Sequence, residues 1–330
     1  MANIAIKMAC GPYDRTEPLR DKDGVRPEGI DLTYDSYQSP QDIFMMMVAQ
    51  DDYHLGELSC SYFMSQSSQE AVPLVALPVF PSRVFRHSFI FINKNAGIKT
   101  AADLKNKRIG VPVFSMTAAV WIRGFLQEDF DVRTEDVQWF EGGLNLPRKP
   151  HVLDGVHPVG MDVTVGAILD ASTLSDELEK GELDAIIGAD IPDSFYQGKN
   201  VVRLFPNYHE VEKDYFQRTG VSPIMHPVAM RRQLYDKQPW IAESMYNALA
   251  AAKQQVLGQQ LHYRGAQKTM LPWQLEAVEE MDALFPDGDP WPYGLERNRS
   301  TLDALQRHLL DQGLMVKPMA LDDLFLPFNA

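Results

Sequence analysis

The stretch FPSRVFRHS at 80–88 places Arg83, Arg86, His87 and Ser88 side by side. An apolar run, Phe89, Ile90, Phe91 and Ile92, follows at once. Guanidinium is the side-chain group best shaped to grip a carboxylate with two hydrogen bonds. Imidazole is the one that moves a proton near neutral pH. Together, at the mouth of a buried strand, they fit a site that binds an anion and transfers a proton. The plainer reading is a polar loop whose arginines pair with surface carboxylates.

Other residues of the right type lie at the ends of expected strands. Glu57 closes the run YHLGE, with Ser59 and a helix containing Tyr62 behind it. It can hold an arginine, orient a histidine, or serve only as a helix-start acid favoured by the macrodipole. His226, set between Ile224-Met225 and Pro227-Val228, is either a satisfied core residue or a proton donor. Tyr13, Asp14 and Arg15 follow the first strand through a Gly-Pro turn, although turn chemistry alone accounts for Asp14. Ser115 or Thr117 can cap a helix that starts just after a strand at 108–112, and such an end suits an anion. Arg123 on that helix is a ligand or a solvated residue. Asp190 follows a buried strand at 183–188. Cys10 and Cys60 have neither metal nor redox spacing and read as small buried hydrophobes.

The elements that must position these groups alternate between strand and helix. Strands are expected at 3–9, 29–34, 72–80, 108–112, 137–140 and 183–188. Helices are expected at 40–49, 99–107 (with a Thr100–Asp103 capping pattern), 173–180, 239–254 and 301–311. Gly181 and Gly313 stop two of them. The methionines in DIFMMMVAQ read as core filler. Residues 145–162, rich in Pro, Gly and His, read as a long loop or lid, with His151 and His157 on its surface. The segment DPWPYGLERNR at 289–299 reads as internal packing or an interface, with Asn298 and Arg299 in structural roles. Alternation on both sides of a composition change argues for an α/β fold with parallel sheets.

Composition narrows the function. A chain of 330 residues exceeds one ordinary core and points to two lobes. The net charge of −14 argues against nucleic acid and against an anionic membrane surface as partners. An anionic ligand then needs a locally positive pocket on a negative body. P-loop, GxGxxG, GxSxG, HExxH and CxxC patterns are missing, so nucleotide, flavin and common hydrolase chemistry lose support. No basic leader precedes an apolar stretch in residues 1–10, and no run approaches a membrane span, so a cytoplasmic location is expected.

The element order resembles the type II periplasmic-binding-protein architecture. That resemblance implies a two-lobed α/β fold with a central ligand cleft. Lobe one would comprise residues 1–88 plus 223–330, lobe two residues 89–222, with hinge crossings near 89–94 and 223–229. The phrases GELSCSY (56–62), SRVFRHS (82–88), TAAVWIRG (117–124), GELDAIIGADIP (181–192), TGVSPIMHPV (219–228) and DPWPYGLERNR (289–299) resemble the 4,5-dihydroxyphthalate decarboxylase family.

That resemblance implies a carboxy-lyase of phthalate degradation converting 4,5-dihydroxyphthalate to 3,4-dihydroxybenzoate and carbon dioxide. Arg83, Arg86, Ser88 and Arg123, with the Thr117 helix end, would bind the dianion. His87 or His226 would protonate the ring carbon. Tyr13, Glu57, Ser59 and Asp190 would hold the catechol hydroxyls, with Glu57 also supporting a histidine. His87 adjoins Arg86, whose charge lowers an imidazole's pKa; a bound dianion would oppose that shift. No cofactor is implied, but a divalent metal stays open, because Glu57, His87, Asp190 and His226 can meet in space. Homo-oligomerisation also stays open. Two competing readings remain: a solute-binding protein for a small carboxylate with no turnover, and a related small-molecule enzyme of the same fold, such as those of the menaquinone pathway.

Overall fold

The computed structural model describes residues 3–21, 23–49, 52–70, 72–148, 156, 158–168, 172–261 and 269–329. Strands β1 (Ile4–Cys10), β2 (Ile30–Ser36), β3 (Leu55–Glu57) and β4 (Leu74–Arg83) belong to a first sheet. The chain leaves it between Arg83 and Ile90. Strands β5 (Ile90–Asn93), β6 (Arg108–Val111), β7 (Gln138–Glu141), β8 (Val165–Ala167), β9 (Ala185–Ile187) and β10 (Val201–Arg203) build a second sheet. Helix Tyr208–Thr219 then leads back, and β11 (Ile224–Arg231) re-enters the first sheet.

The first sheet has the order β2-β1-β3-β11-β4 and the second β10-β5-β9-β6-β7-β8. β1 runs parallel to both its neighbours, as strands joined by helical crossovers must. The returning β11 is antiparallel to β3 and β4. Every residue of β4 is buried, which matches its unbroken apolar reading. Prolines interrupt this central pair. His226 pairs with Ser82, but Val228 pairs with Leu77, so the register slips across the segment holding Pro78 and Pro81. Proline offers no N–H to a ladder, and the break falls where the ladder loses donors.

Helices α1 (Pro40–Ala49), α2 (Cys60–Gln69) and α3 (Thr117–Phe130) cover the site-bearing edges. α3 packs on α2 and on helix Arg299–Asp311. That approach is close: a methyl group on Gly124 would stand 2.4 Å from the His308 ring, so only glycine fits there. Gly181 ends helix Leu174–Lys180 at φ 81°, as the sequence predicts, and Thr173 is its cap rather than its first residue. Cys10 and Cys60 are free and buried. Tyr293 and Leu295 are buried, so this part of the aromatic segment is internal packing.

Several expectations change. The helix expected at 99–107 is one 3-10 turn, Ala101–Leu104, with Asp103 accepting the Thr100 backbone N–H. Neither Ser115 nor Thr117 caps α3; the cap position is Met116, and Thr117 is the first helical residue. Helix Tyr208–Thr219 carries no sequence signal, since only Tyr215 of it is buried and no apolar stripe marks it. Much of 145–162, including His151 and His157, lies outside the described residues. Among the described residues no helix is long and apolar enough to cross a membrane.

Candidate active site

β3 lies between β1 and β11, so its last residue, Glu57, meets groups from both neighbours. Glu57 has no exposed surface. Its Oε1 accepts the Tyr13 hydroxyl at 2.6 Å and pairs with His226 Nδ1 at 2.6 Å. Its Oε2 accepts the Gly11 N–H at 2.9 Å. Tyr13 and Gly11 come from the carboxyl end of β1, where open sheets commonly hold ligands. His226 comes from the slipped part of β11; bulges of this kind re-aim side chains beside active sites.

Burial alone would raise the Glu57 carboxyl. The bond and charge of His226, the Tyr13 hydroxyl and the Gly11 N–H together outweigh it and hold the group below the usual carboxylate range. Glu57 is therefore an acceptor, and the proton between it and His226 is assigned to Nδ1. Nε2 has no protein partner among the described residues. Burial, then the Glu57 charge, push the Tyr13 hydroxyl well up, so Tyr13 remains a neutral donor.

His226 and Tyr13 open on a cavity of about 180 Å³ between the two sheets. Ser59, Ser82, Phe44 and Arg86 line it from one side; Met116, Thr117, Ala118 and Asp190 line it from the other. The Phe44 ring meets His226 edge-on at 4.9 Å and fixes the imidazole plane. Arg86 donates Nη1 to the Ala189 carbonyl at 3.1 Å, and its Nε lies 3.3 Å from Met225 Sδ. Its Nη2 has no partner among the described residues. Burial lowers Arg86 to about 10, which still leaves a cation at neutral pH. The Thr117 hydroxyl lies 3.1 Å from Ser59 Oγ and accepts the Ser61 N–H at 3.1 Å, tying the starts of α2 and α3 together. The α2 start has its Ser61 and Tyr62 N–H groups already bonded to Thr117 and Ser59, so the α3 start is the end that turns N–H groups and a positive dipole end toward this region. A larger open depression, about 720 Å³, lies at Asp14, Glu17, Arg20 and Gln255, but gathers no comparable set of buried groups.

Four expected site residues do not face this cavity. Arg83 is buried and donates to the Ser222 and Pro292 carbonyls and to Asn298 Oδ1. Arg123 is buried on α3, bonded to Gln312 Oε1 at 2.8 Å and the Phe114 carbonyl at 2.7 Å, with its cation over the Phe114 ring. Ser88 donates to Glu212 through N–H and Oγ. His87 stacks on Phe125 with ring centroids 3.9 Å apart, and among the described residues neither ring nitrogen has a partner. Burial rather than Arg86 lowers His87, to about 4. The reason is geometric: of the SRVFRHS phrase only Ser82 and Arg86 line the cavity, while Arg83, His87 and Ser88 are directed elsewhere. Among the described residues no three His, Cys, Asp or Glu side chains are grouped to hold a metal ion.

Ser82, Gln41, Phe44, Met116 and Met225 also line the cavity and were not singled out from sequence. Ser82 adjoins Arg83 in the same phrase, and Met225 adjoins His226, so proximity in sequence was their only signal.

The chain is 33% identical over 328 residues to a 4,5-dihydroxyphthalate decarboxylase of Comamonas testosteroni, covering 99% of this chain and 98% of that one. It is 40% identical over 223 residues to a 4,5-dihydroxyphthalate decarboxylase of Pseudomonas putida, covering 67% and 85%. The chain belongs to the 4,5-dihydroxyphthalate decarboxylase family. No family model matches the chain. The decarboxylase-family chain has the type II periplasmic-binding-protein fold. It is similar to the periplasmic aliphatic sulphonate binding protein SsuA from Escherichia coli (TM-score 0.53, 13% identical, covering 98% and 97% of the two chains). It is also similar to the alkanesulfonate-binding protein SsuA from Xanthomonas axonopodis pv. citri bound to MOPS (TM-score 0.54, 11% identical, covering 99% and 100%).

Proposed function

We propose that this chain decarboxylates 4,5-dihydroxyphthalate, giving 3,4-dihydroxybenzoate and carbon dioxide. The observation that carries the reading is a buried carboxylate, Glu57, bonded to the imidazole of His226 at the wall of a cavity that also holds Arg86. The hydroxyl para to the departing carboxylate pushes electron density to the carbon that bears it. Nε2 of His226 delivers a proton to that carbon. The carbon–carboxylate electrons return to the ring, carbon dioxide leaves, and solvent reprotonates the imidazole; one proton is consumed per turnover. Positioned proton donors of this kind contribute roughly 10²–10⁴ in rate.

Glu57 holds the Nδ1 proton and stabilises the charged imidazole. Arg86 and the α3 start bind the carboxylates, and Asp190 and Ser59 accept or donate to the catechol hydroxyls. Tyr13 fixes Glu57. The parts needed are a dianion grip and a proton donor, and both lie in one cavity. We assign lobe one to 1–88 plus 223–330 and lobe two to 89–222, because β1–β4 and β11 share one sheet and β5–β10 the other. On this reading the protein acts in the cytoplasm, in phthalate catabolism. Purified protein incubated with 4,5-dihydroxyphthalate should release 3,4-dihydroxybenzoate, followed by chromatography, and His226→Asn should abolish most of it. A wild-type protein that binds the diacid without turnover would instead support a solute-binding role.

A further inference from the structure

A second cavity, about 240 Å³, lies behind the two segments that cross between the sheets, and it shares no lining residue with the cleft. Its apolar walls are Phe85, Phe216, Phe285, Trp291, Met281 and Leu284, and His209, Glu212, Lys213 and Glu280 also line it, with Glu212 held by the Ser88 N–H and hydroxyl. Phe216 and Phe285 pack with ring centroids 4.7 Å apart, and Phe85 meets Phe216 edge-on at 6.2 Å. Val84 and Phe85 belong to the outward crossing and Ser222 to the return crossing. Helix Gln274–Leu284 is tied across it to helix Tyr208–Thr219, since Glu280 pairs with Lys213 at 2.5 Å and with His209 Nε2 at 2.9 Å.

Arg83 completes the wall. It is 5% exposed, and its bonds go only to neutral acceptors: two carbonyls and the Asn298 amide oxygen. Among the described residues no carboxylate pairs with it, and its buried Nε has no partner at all. A buried cation without a counter-ion is costly to keep out of water. Largely apolar cavities of a few hundred Å³ with a small number of placed polar groups are the usual form of small-molecule sites. The aromatic walls select a flat ring. Glu280 is paired with Lys213 and His209 and Glu212 is bonded to Ser88, so the guanidinium of Arg83, which makes no ion pair among the described residues, is the group that selects an anion beside the ring.

We propose that this cavity is a second small-molecule site that takes a small aromatic carboxylate. The proposal does not depend on the reaction at the cleft. An occupant touches both crossings, so its binding is linked to ligand binding in the cleft, and the linkage is reciprocal.

Benzoate is the probe, measured by titration calorimetry on a protein whose cleft grip is disabled by Arg86→Gln. Saturable binding at one benzoate per chain, in the millimolar range or tighter, is expected. It should be lost when Leu284→Trp or the milder Met281→Phe is added to fill the cavity. Each filling variant, made alone in the wild-type protein, should keep turnover within about twofold, which shows that it folds. Loss of all benzoate binding in Arg86→Gln would overturn the proposal, because binding would then belong to the cleft. Undiminished binding in both filled variants would overturn it too. Toluene binding as tight as benzoate would overturn the assignment to a carboxylate.

Discussion

Nδ1 of His226 lies 2.6 Å from Oε1 of Glu57, a carboxylate with no exposed surface. The pair joins residues far apart in sequence through the β3–β11 ladder. An acceptor fixed at Nδ1 leaves Nε2 to act at the cavity, so the two side chains work as one unit. Glu57→Gln should lower kcat by roughly 10²–10⁴ with a smaller change in KM, and His226→Asn should do the same. The double variant should be no worse than either single one, because removing either member disables the unit. Additive losses in the double-mutant cycle would show that they act separately.

Tyr13 reaches Glu57 because Gly11 has no side chain. A methyl group on Gly11 would stand 2.6 Å from Cε2 and 2.7 Å from Cζ of Tyr13. Gly11→Ala should push the tyrosine off Glu57 while leaving the fold intact, since that ring can swing into the cavity. We expect kcat to fall about tenfold, matching Tyr13→Phe. In a Tyr13→Phe background the alanine should add little, because the hydroxyl contact is already gone. Equal loss in both backgrounds would mean that the glycine acts on the backbone alone.

Arg86 and Arg123 should separate affinity from stability. Arg86→Lys keeps a charge but not the planar fork. It should raise KM for the diacid by about tenfold or more. Arg123 bonds Gln312 and the Phe114 carbonyl within the core. Arg123→Gln should lower the melting temperature and leave KM near wild type. A large KM effect at Arg123 would place it at the cleft after all.

His87 predicts acid sensitivity rather than catalysis. Burial lowers its pKa from 6.5 to about 4. The unfolded chain takes up this proton below pH 6.5, but the folded chain does not until about pH 4. Its contribution is therefore complete above pH 6.5 and is lost as pH falls from 6.5 to 4, amounting to roughly 3 kcal/mol. His308, lowered by burial to about 3, acts in the same direction over a wider window. His87→Phe preserves the stacking on Phe125. It should flatten part of the stability–pH curve, measured by denaturant unfolding between pH 7 and 4, with turnover within about threefold of wild type. Loss of turnover would restore His87 to the mechanism.

Much of this was legible in the sequence, and the failures have physical causes. Alternating elements and turn residues located α1, β4 and the helix ended by Gly181, because periodicity and punctuation are local signals. Glu57, His226, Tyr13 and Asp190 were candidates by their position at strand ends, where open sheets hold ligands. Their convergence depends on β11 returning between β3 and β4, which no local pattern reveals. The SRVFRHS phrase does not converge as a unit, because a short irregular crossing sends successive side chains in different directions. Arg86 faces the cleft, whereas Arg83 turns to core carbonyls at the second cavity and His87 packs on Phe125. Type and spacing could not separate a guanidinium that grips a ligand from one that ties core carbonyls.

The most direct measurement is turnover of 4,5-dihydroxyphthalate by metal-stripped protein in deuterium oxide. The account predicts 3,4-dihydroxybenzoate carrying one deuterium at the ring position the carboxylate left, and none formed by His226→Asn. Absence of product from wild-type protein, both before and after divalent metals are restored, would contradict it.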